Sequence, residues 1–64
     1  MKDYQIRVLE EKNELDARIS RLENFVKSET FVTVVDSDKD RLTHQLSVMK
    51  SYSAILGERI ARFN

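Results

Sequence analysis

Tyrosine, arginine and glutamate recur in both halves of this 64-residue chain, in combinations that suit the binding of a ligand or a protein. The first half holds Tyr4, Arg7 and Glu11, and the second half holds Tyr52 and Arg59. Aromatic faces stack on nucleobases, and guanidinium groups hold phosphates through paired hydrogen bonds. A nucleotide-like ligand would suit these side chains, but tyrosine and arginine are also enriched in protein–protein contacts. A ligand pocket and an interface remain alternatives, and they coincide if the pocket lies between subunits.

The residue sets of common catalytic and metal sites are missing from the sequence. Cysteine is absent and His44 is the one histidine, so disulfides are excluded and a zinc site made by protein side chains is not expected. The serines have no adjacent base, and the glutamates lack the Glu-x-x-His pair of di-metal helical bundles. We therefore expect no catalytic residues, no metal and no cofactor, with His44 on the surface.

The charge balance argues against a nucleic-acid duplex as the main partner. Lysine and arginine total 11, as do aspartate and glutamate, whereas a duplex-binding domain normally carries a basic excess. A small anion held by a few arginines is compatible with this balance. The sequence has neither an apolar run of membrane-spanning length nor an amino-terminal secretion signal, so we expect a cytoplasmic protein without membrane contact.

Two stripes of apolar residues with heptad spacing predict the helices that carry these side chains. The first helix covers about residues 2–28, and its stripe consists of Val8, Leu15, Ile19, Leu22 and Val26. The second covers about residues 37–63, and its stripe consists of Leu42, Leu46, Met49, Ser53, Leu56, Ile60 and Phe63. Acid-before-base pairs four residues apart support the first helix; they are Asp3/Arg7, Glu14/Arg18 and Glu23/Lys27.

The connection between the two helices gives a mixed signal. The segment from Thr30 to Val35 is rich in β-branched residues, which favour a strand. A single strand has no partner here, so we favour a compact connector in which Phe31 and the valines close the end of the hairpin. A strand would have to pair between subunits. Ser37, with Asp40 three residues later, predicts a capping box at the start of the second helix.

Two helices joined by a short connector are expected to be antiparallel, and one register satisfies the apolar layers. It pairs Leu22 with Leu42, Leu15 with Met49, Val8 with Leu56, Met1 with Phe63, Ile19 with Leu46, Lys12 with Ser53, and Gln5 with Ile60. On one flank it brings Tyr4 near Arg59 and Glu11 near Tyr52. On the other it sets Asp16 beside Lys50, and Leu9 against Gly57.

This register defines a candidate ligand site and a candidate interface within a single domain, residues 1–64. The proposed ligand-binding residues are Tyr4, Arg7, Glu11, Lys12, Tyr52, Arg59 and Arg62. Apolar residues outside the seam, together with the mid-helix glycine, predict an oligomeric bundle of several hairpins; they are Ile6, Leu9, Val48, Ile55 and Gly57. Lys12 and Ser53 form a polar layer that either fixes the register or reaches an anion.

The stretches YQIRVLEEKNELDARISRLENF and HQLSVMKSYSAILGERI resemble a family of very short bacteriophage proteins typed by a crAss-like phage protein. The most specific parts are the opening YQxRVxxEKxxLD and the close MKxYSxILGERI. The architecture is also similar to the helical hairpins of phage proteins that counter CBASS or Thoeris immunity. Those proteins assemble, commonly as hexamers, and sequester cyclic nucleotide signals.

The resemblance implies a viral protein in the cytoplasm of an infected bacterial host, which binds a cyclic nucleotide-type immune signal without cleaving it. Under this hypothesis Tyr4 and Tyr52 stack on bases, and Arg7 and Arg59 pair with phosphates. Lys12 or Arg62 would assist them, and Glu11 would orient an arginine or accept a base N–H. The alternative is a structural or interaction protein, whose hairpin oligomer binds a host or phage protein.

Overall fold

The computed structural model describes residues 1–63, and these form three helices and no strand. Helix α1 spans Asp3–Val26, α2 spans Glu29–Val32 and α3 spans Asp36–Ala61. Contacts between the start of α1 and the end of the chain show that α1 and α3 are antiparallel. The predicted all-α hairpin is confirmed, and both long helices end within two residues of the expected bounds. Neither long helix combines the length and the apolar character needed to cross a membrane.

The core lies along the seam between α1 and α3, where the heptad stripes place it. Its fully or nearly buried apolar residues are Val8, Leu15, Ile19 and Leu56. Leu56 is completely inaccessible to solvent. Partly buried residues of the second stripe surround them; these are Leu46, Met49, Ile60 and Phe63. Seven-residue periodicity identified this core because residues seven apart lie on the same side of a helix, and α1 and α3 turn these sides toward each other.

A polar layer interrupts the seam at the predicted level. The ammonium of Lys12 donates to the Ser53 hydroxyl at 2.9 Å, which confirms that these two residues face each other. Gln5 is also buried, with 3% of its surface exposed. Its side-chain carbonyl accepts the backbone N–H of Lys2 at 3.0 Å, so the amide caps the first turn of α1. Each buried side-chain nitrogen or oxygen within residues 1–63 has a hydrogen-bond partner.

The connector is helical, and the alternative of a strand is wrong. Turn hydrogen bonds satisfy its backbone, including those from the N–H of Phe31 to the Ser28 carbonyl and from that of Val34 to the Phe31 carbonyl. The Phe31 ring meets Phe25 of α1 edge-to-face at 5.8 Å, so it closes this end of the hairpin as predicted. Most of the valines do not, since Val32 is 72% exposed and Val35, directly before α3, is 66% exposed.

Three expectations about the helix ends and their charges are corrected. Helix α3 begins at Asp36 with Val35 as its N-cap and no side-chain cap, so the predicted capping box is absent. Met1 is 78% exposed, and the layer that would join it to Phe63 does not form because α1 begins two residues later. Among residues 1–63, the three predicted pairs four apart on α1 are not found as ion pairs within 4.0 Å.

Two contacts predicted on the second flank are also different. The Lys50 ammonium reaches Glu23 at 3.0 Å instead of Asp16. Asp16 is occupied by the polar layer of the seam, which provides it with two donors. At Gly57 the space next to the missing side chain is bounded by Lys12 Cε, 3.5 Å from the position of a Cβ atom, and Leu9 is not within contact distance.

Candidate functional site

Two flanks of the hairpin, on either side of the seam, differ in chemistry. Successive residues of an α-helix are rotated by about 100°, so Glu11 and Asp16 point to opposite sides of α1. We name the side that carries Glu11 and Tyr52 the tyrosine flank. The side that carries Asp16 and Gly57 is the glycine flank.

On the tyrosine flank, the structure brings two predicted site residues together. The phenol of Tyr52 donates a hydrogen bond to a carboxylate oxygen of Glu11, which links α3 to α1. The predicted neighbourhood of these two side chains is therefore confirmed. Tyr52 remains 41% exposed. The bond fixes the phenol and leaves part of the ring accessible, which is the arrangement that stacking on a planar ligand requires.

At the open end of the hairpin, an aromatic pair lies among arginines. The Tyr4 ring meets Phe63 edge-to-face, with centroids 5.9 Å apart. Phe63 lies one helical turn beyond Arg59, which is the neighbour of Tyr4 that the sequence predicts. Arg7, Arg59 and Arg62 are exposed and form no ion pair within 4.0 Å among residues 1–63. Three guanidinium groups without a counter-ion among residues 1–63 make this end suitable for an anion.

A shallow depression also opens at this end of α3. It has a volume of about 530 Å³ and is bordered by Glu58, Ala61 and Arg62. Of the predicted ligand-binding residues, only Arg62 borders it. The depression is open to solvent, so one hairpin cannot enclose a ligand there.

Lys12, the remaining predicted site residue, is held in the seam. Its ammonium lies 2.9 Å from an Asp16 carboxylate oxygen and 2.9 Å from the Ser53 hydroxyl. That hydroxyl donates to the other Asp16 oxygen at 2.5 Å. The hydrogen bond from Ser53 lowers the pKa of Asp16 below its usual value, and Lys12 adds to this effect. The three groups satisfy one another, so this layer fixes the register of the helices.

The predicted interface residues differ in their exposure. Val48 and Ile55 are 54% and 53% exposed and lie on the tyrosine flank, whereas Leu9 and Gly57 are partly buried. Ile6, near the open end, is 41% exposed. Three large apolar or aromatic side chains at Val48, Tyr52 and Ile55 therefore form a continuous exposed stripe along α3, which we name the α3 stripe.

Sequence reasoning missed a groove beside this stripe. It has a volume of about 330 Å³ and is bordered by Arg41, His44, Gln45 and Val48. Counted from Arg41, the other three residues lie three, four and seven positions further along α3. This is the spacing of a hole that receives one side chain of a neighbouring helix. That spacing was readable in the sequence. Its significance was not, because His44 was assessed only as an isolated surface residue.

Comparison with known proteins identifies the family. The family model of Sequestin matches residues 2–62, which is nearly the whole chain. The chain belongs to the Sequestin family. A relative in Enterobacteria phage T4 is an uncharacterized 7.5 kDa protein of the denB–rIIB intergenic region, and it is 42% identical over 60 residues, which is 94% of each chain. No solved structure matches.

These findings confirm the resemblance to short phage proteins at the level of a Sequestin-like family. The match includes all of the predicted site and interface residues, because it ends at residue 62. The narrower grouping with a crAss-like phage protein stays a prediction.

Proposed function

We propose that this Sequestin is a non-catalytic phage protein that binds a cyclic nucleotide-type immune signal and keeps it from its receptor. The name of the family implies sequestration, and the relative in phage T4 supports a viral role. The signals of CBASS or Thoeris immunity are the class of ligand that we favour. The protein would act in the cytoplasm of the infected bacterial host and release its ligand chemically unchanged.

The observation that carries this proposal is the tyrosine flank with the open end beside it. Tyr52, oriented by Glu11, offers an aromatic face, and Tyr4 offers a second one. A cyclic nucleotide combines planar bases with phosphates, so it needs both stacking surfaces and cationic donors. Arg7 and Arg59 would supply the donors for phosphate.

The other predicted site residues have secondary roles in this proposal. Arg62 borders the depression at the open end and would add a third cation. Lys12 already has two partners in the seam, so we assign it the positioning of the two helices and only an indirect effect on the ligand. Glu11 would hold Tyr52 in place, and would accept a base N–H only if that hydrogen bond opened.

A single hairpin cannot surround a ligand, so the proposed site lies between hairpins of a homo-oligomer. A chain of 64 residues without disulfides is expected to need such assembly for stability. Val48 and Ile55 would form one contact between copies. Ile6, Leu9 and Gly57 would form a second contact in an assembly larger than a dimer, such as a hexamer.

Native mass spectrometry of the purified protein with a panel of cyclic di- and trinucleotides and cyclic ADP-ribose isomers tests this function. We expect a discrete oligomer that gains whole ligand masses, and a ligand that is recovered unchanged after denaturation. Ligand recovered in an altered chemical form would instead show an enzyme.

Matched variants test the site assignment. Tyr52→Ala should weaken binding by about tenfold or more, because a stacked base contributes roughly 1–3 kcal/mol. Arg59→Ala should weaken binding to a similar extent, because it removes a donor to phosphate. Tyr52→Phe keeps the ring and Arg59→Lys keeps the charge, so they should lose less. Unchanged binding in both alanine variants, with the oligomer intact, would contradict the assignment.

An interaction protein is the second candidate, and the exposed α3 stripe favours it. Hydrophobic and aromatic side chains grouped on one surface commonly mark contacts between proteins. An oligomer that gains no ligand, and a defined host or phage protein that binds the hairpin stoichiometrically, would support this function over the signal-binding one.

A further inference from the structure

The α3 stripe lies on one side of α3 together with the groove next to it. At about 100° per residue, the groove residues and the stripe residues fall within an arc of roughly 100°. We propose that a second copy of this chain covers the tyrosine flank, packed end for end about a twofold axis that passes beside Val48. The proposal rests on the homo-oligomer of the proposed function and specifies one of its interfaces.

The stripe and the groove are complementary under this axis. An antiparallel twofold at Val48 places residues at equal distances before and after it opposite each other. Tyr52 therefore faces His44 of the second copy, and Ile55 faces Arg41. Tyr52 enters the hole that the groove residues form, as a knob in antiparallel helix packing. The partly exposed ring of one copy fills the open groove of the other, and the reverse contact is identical. This interface changes the role of Tyr52 in the proposed function: Tyr52 holds the two copies together, and Tyr4 at the open end is the tyrosine that stacks on the ligand.

The charges of α1 show the same symmetry. Four exposed charged residues in the middle of the tyrosine flank of α1 are Glu11, Glu14, Arg18 and Arg21, and Arg7 lies on the same flank nearer the open end. These four are arranged symmetrically about position 16, with acids before it and arginines after it. The contact between Lys12 and Ser53 sets the register, and one turn further position 16 lies level with Met49, beside the axis. Each α1 thus presents its acids to the arginines of the other.

The resulting pairs join Glu14 with Arg18 of the second copy, and Glu11 with Arg21. None of Glu14, Arg18 and Arg21 has an ion pair within 4.0 Å among residues 1–63 of one chain. The acids of the first turn of α3 already pair within the chain, Asp36 with Lys39 and Asp38 with Arg41. Arg59, which the antiparallel contact brings to this end of the second copy, therefore stays available for a ligand.

Packing two copies in the same direction gives the opposite result. Helix α1 would then lie on α3 of the second copy at the same level. Arg7 would meet Arg59, and Arg21 would approach Arg41, so both ends would place like charges together.

The size of the face is adequate for a specific contact. The hairpin measures 47 × 14 × 13 Å, so one long face covers on the order of 650 Å², near the ~800 Å² that each partner contributes to a standard interface. The open-end arginines of each copy then lie beside the connector end of the other. A dimer would therefore hold two equivalent ligand sites, each built from residues of both copies.

Cysteine cross-linking locates the axis without any ligand. The chain has no cysteine of its own, and a residue beside a twofold axis meets its own copy. We expect Val48→Cys to form a disulfide-linked dimer under mild oxidation at low protein concentration. Ala54→Cys is the matched control, since it is exposed on the same helix but about 120° away. Cross-linking at Ala54 in preference to Val48, or a monomer in both variants, would overturn the proposal.

A charge exchange tests the pairing between copies. Glu14→Arg and Arg18→Glu should each weaken the dimer about tenfold, because two like-charge contacts replace two opposite ones. Circular dichroism should show that both variants remain helical. When the two variants are mixed, every contact between copies is again between opposite charges, although each chain keeps its internal like-charge pair.

We expect the mixture to form a heterodimer in excess of the statistical half, measured by native mass spectrometry with one variant isotopically labelled. A random or absent heterodimer would contradict the pairing. Ligand masses are recorded separately on the native chain. A dimer that behaves as expected but takes up no ligand would contradict the signal-binding function alone, and bound ligand without the predicted cross-link would contradict the interface alone.

Discussion

The two flanks of the hairpin differ in how far their side chains find partners within the chain. On the glycine flank, Lys12, Asp16 and Ser53 satisfy one another within the chain. On the tyrosine flank, one hydrogen bond joins Glu11 to Tyr52, while the adjacent apolar side chains stay half exposed. The arginines of α1 form no ion pair there within residues 1–63.

This difference indicates which part of the sequence serves the fold of one chain and which part serves its partners. Charged groups that are already paired have little free energy to gain from a new contact. Exposed apolar surface and unpaired charges gain most when a partner covers them. The glycine flank therefore specifies the register of the hairpin, and the tyrosine flank is the better candidate for both assembly and ligand binding.

Truncation of two neighbouring residues should separate the roles of seam and flank most strongly. Leu56 is completely buried and Ile55 is 53% exposed. Leu56→Ala should reduce the free energy of unfolding by roughly 2–5 kcal/mol through lost burial and a cavity. Ile55→Ala should have an effect within about 0.5 kcal/mol on the isolated hairpin. In the oligomer it should also weaken the contact between copies.

Denaturant unfolding at several protein concentrations distinguishes these effects. The loss in Leu56→Ala should persist at every concentration, because the seam is internal to one chain. The loss in Ile55→Ala should depend on concentration, as expected for a residue that stabilises an assembly. A large loss in Ile55→Ala that does not change with concentration would mean that the flank is part of the core of a single hairpin.

Gly57→Ala should have two opposite effects. An added Cβ would lie 3.5 Å from Lys12 Cε, an ordinary contact, so the hairpin accommodates it. Alanine is more favourable than glycine inside a helix by about 1 kcal/mol, so the melting temperature of the dilute protein should rise. If a second copy approaches the backbone here, native mass spectra should also show fewer assemblies larger than a dimer. An unchanged distribution of assemblies would remove Gly57 from the proposed second contact.

The architecture was predictable because periodicity reports on one side of a whole helix. The apolar stripe that contains Leu56 and the pairing of Lys12 with Ser53 both follow from the heptad spacing of the two helices. Glu11 and Tyr52 were predictable as neighbours for the same reason, since their positions are set by the backbone register and their lengths allow contact.

The details that were wrong concern long side chains that can reach more than one partner. Lys50 has two acids within reach, and it pairs with Glu23 because the seam already supplies donors to Asp16. Register alone does not decide such a competition. The favoured prediction of a compact connector closed by Phe31 was right, and it was wrong only for the exposed valines Val32 and Val35. The alternative of a strand failed because an isolated segment can satisfy its backbone only through local turns, although β-branched residues favour strands on average.

The smallest expected effect is a pH dependence that belongs to the glycine flank. Hydrogen bonds from Ser53 and Lys12 lower the pKa of Asp16 below its ordinary value of 3.8. The ionised carboxylate therefore stabilises the folded state above about that pH. This contribution is lost as the pH falls through the lower pKa of the folded state. Asp16→Asn should lower the melting temperature near neutral pH. The difference from the native chain should shrink when the pH falls below 3.8, the ordinary pKa of an aspartate.

Thermal unfolding from neutral to strongly acidic pH, followed by circular dichroism, measures this difference. Glu10→Gln is the matched control, since Glu10 is exposed and forms no ion pair within residues 1–63. Its melting temperature should follow that of the native chain much more closely. Because Asp16 lies away from the tyrosine flank, its replacement should leave cross-linking through Val48→Cys unchanged. Loss of that cross-link in Asp16→Asn would show that the two flanks are coupled and that the polar layer also positions the interface.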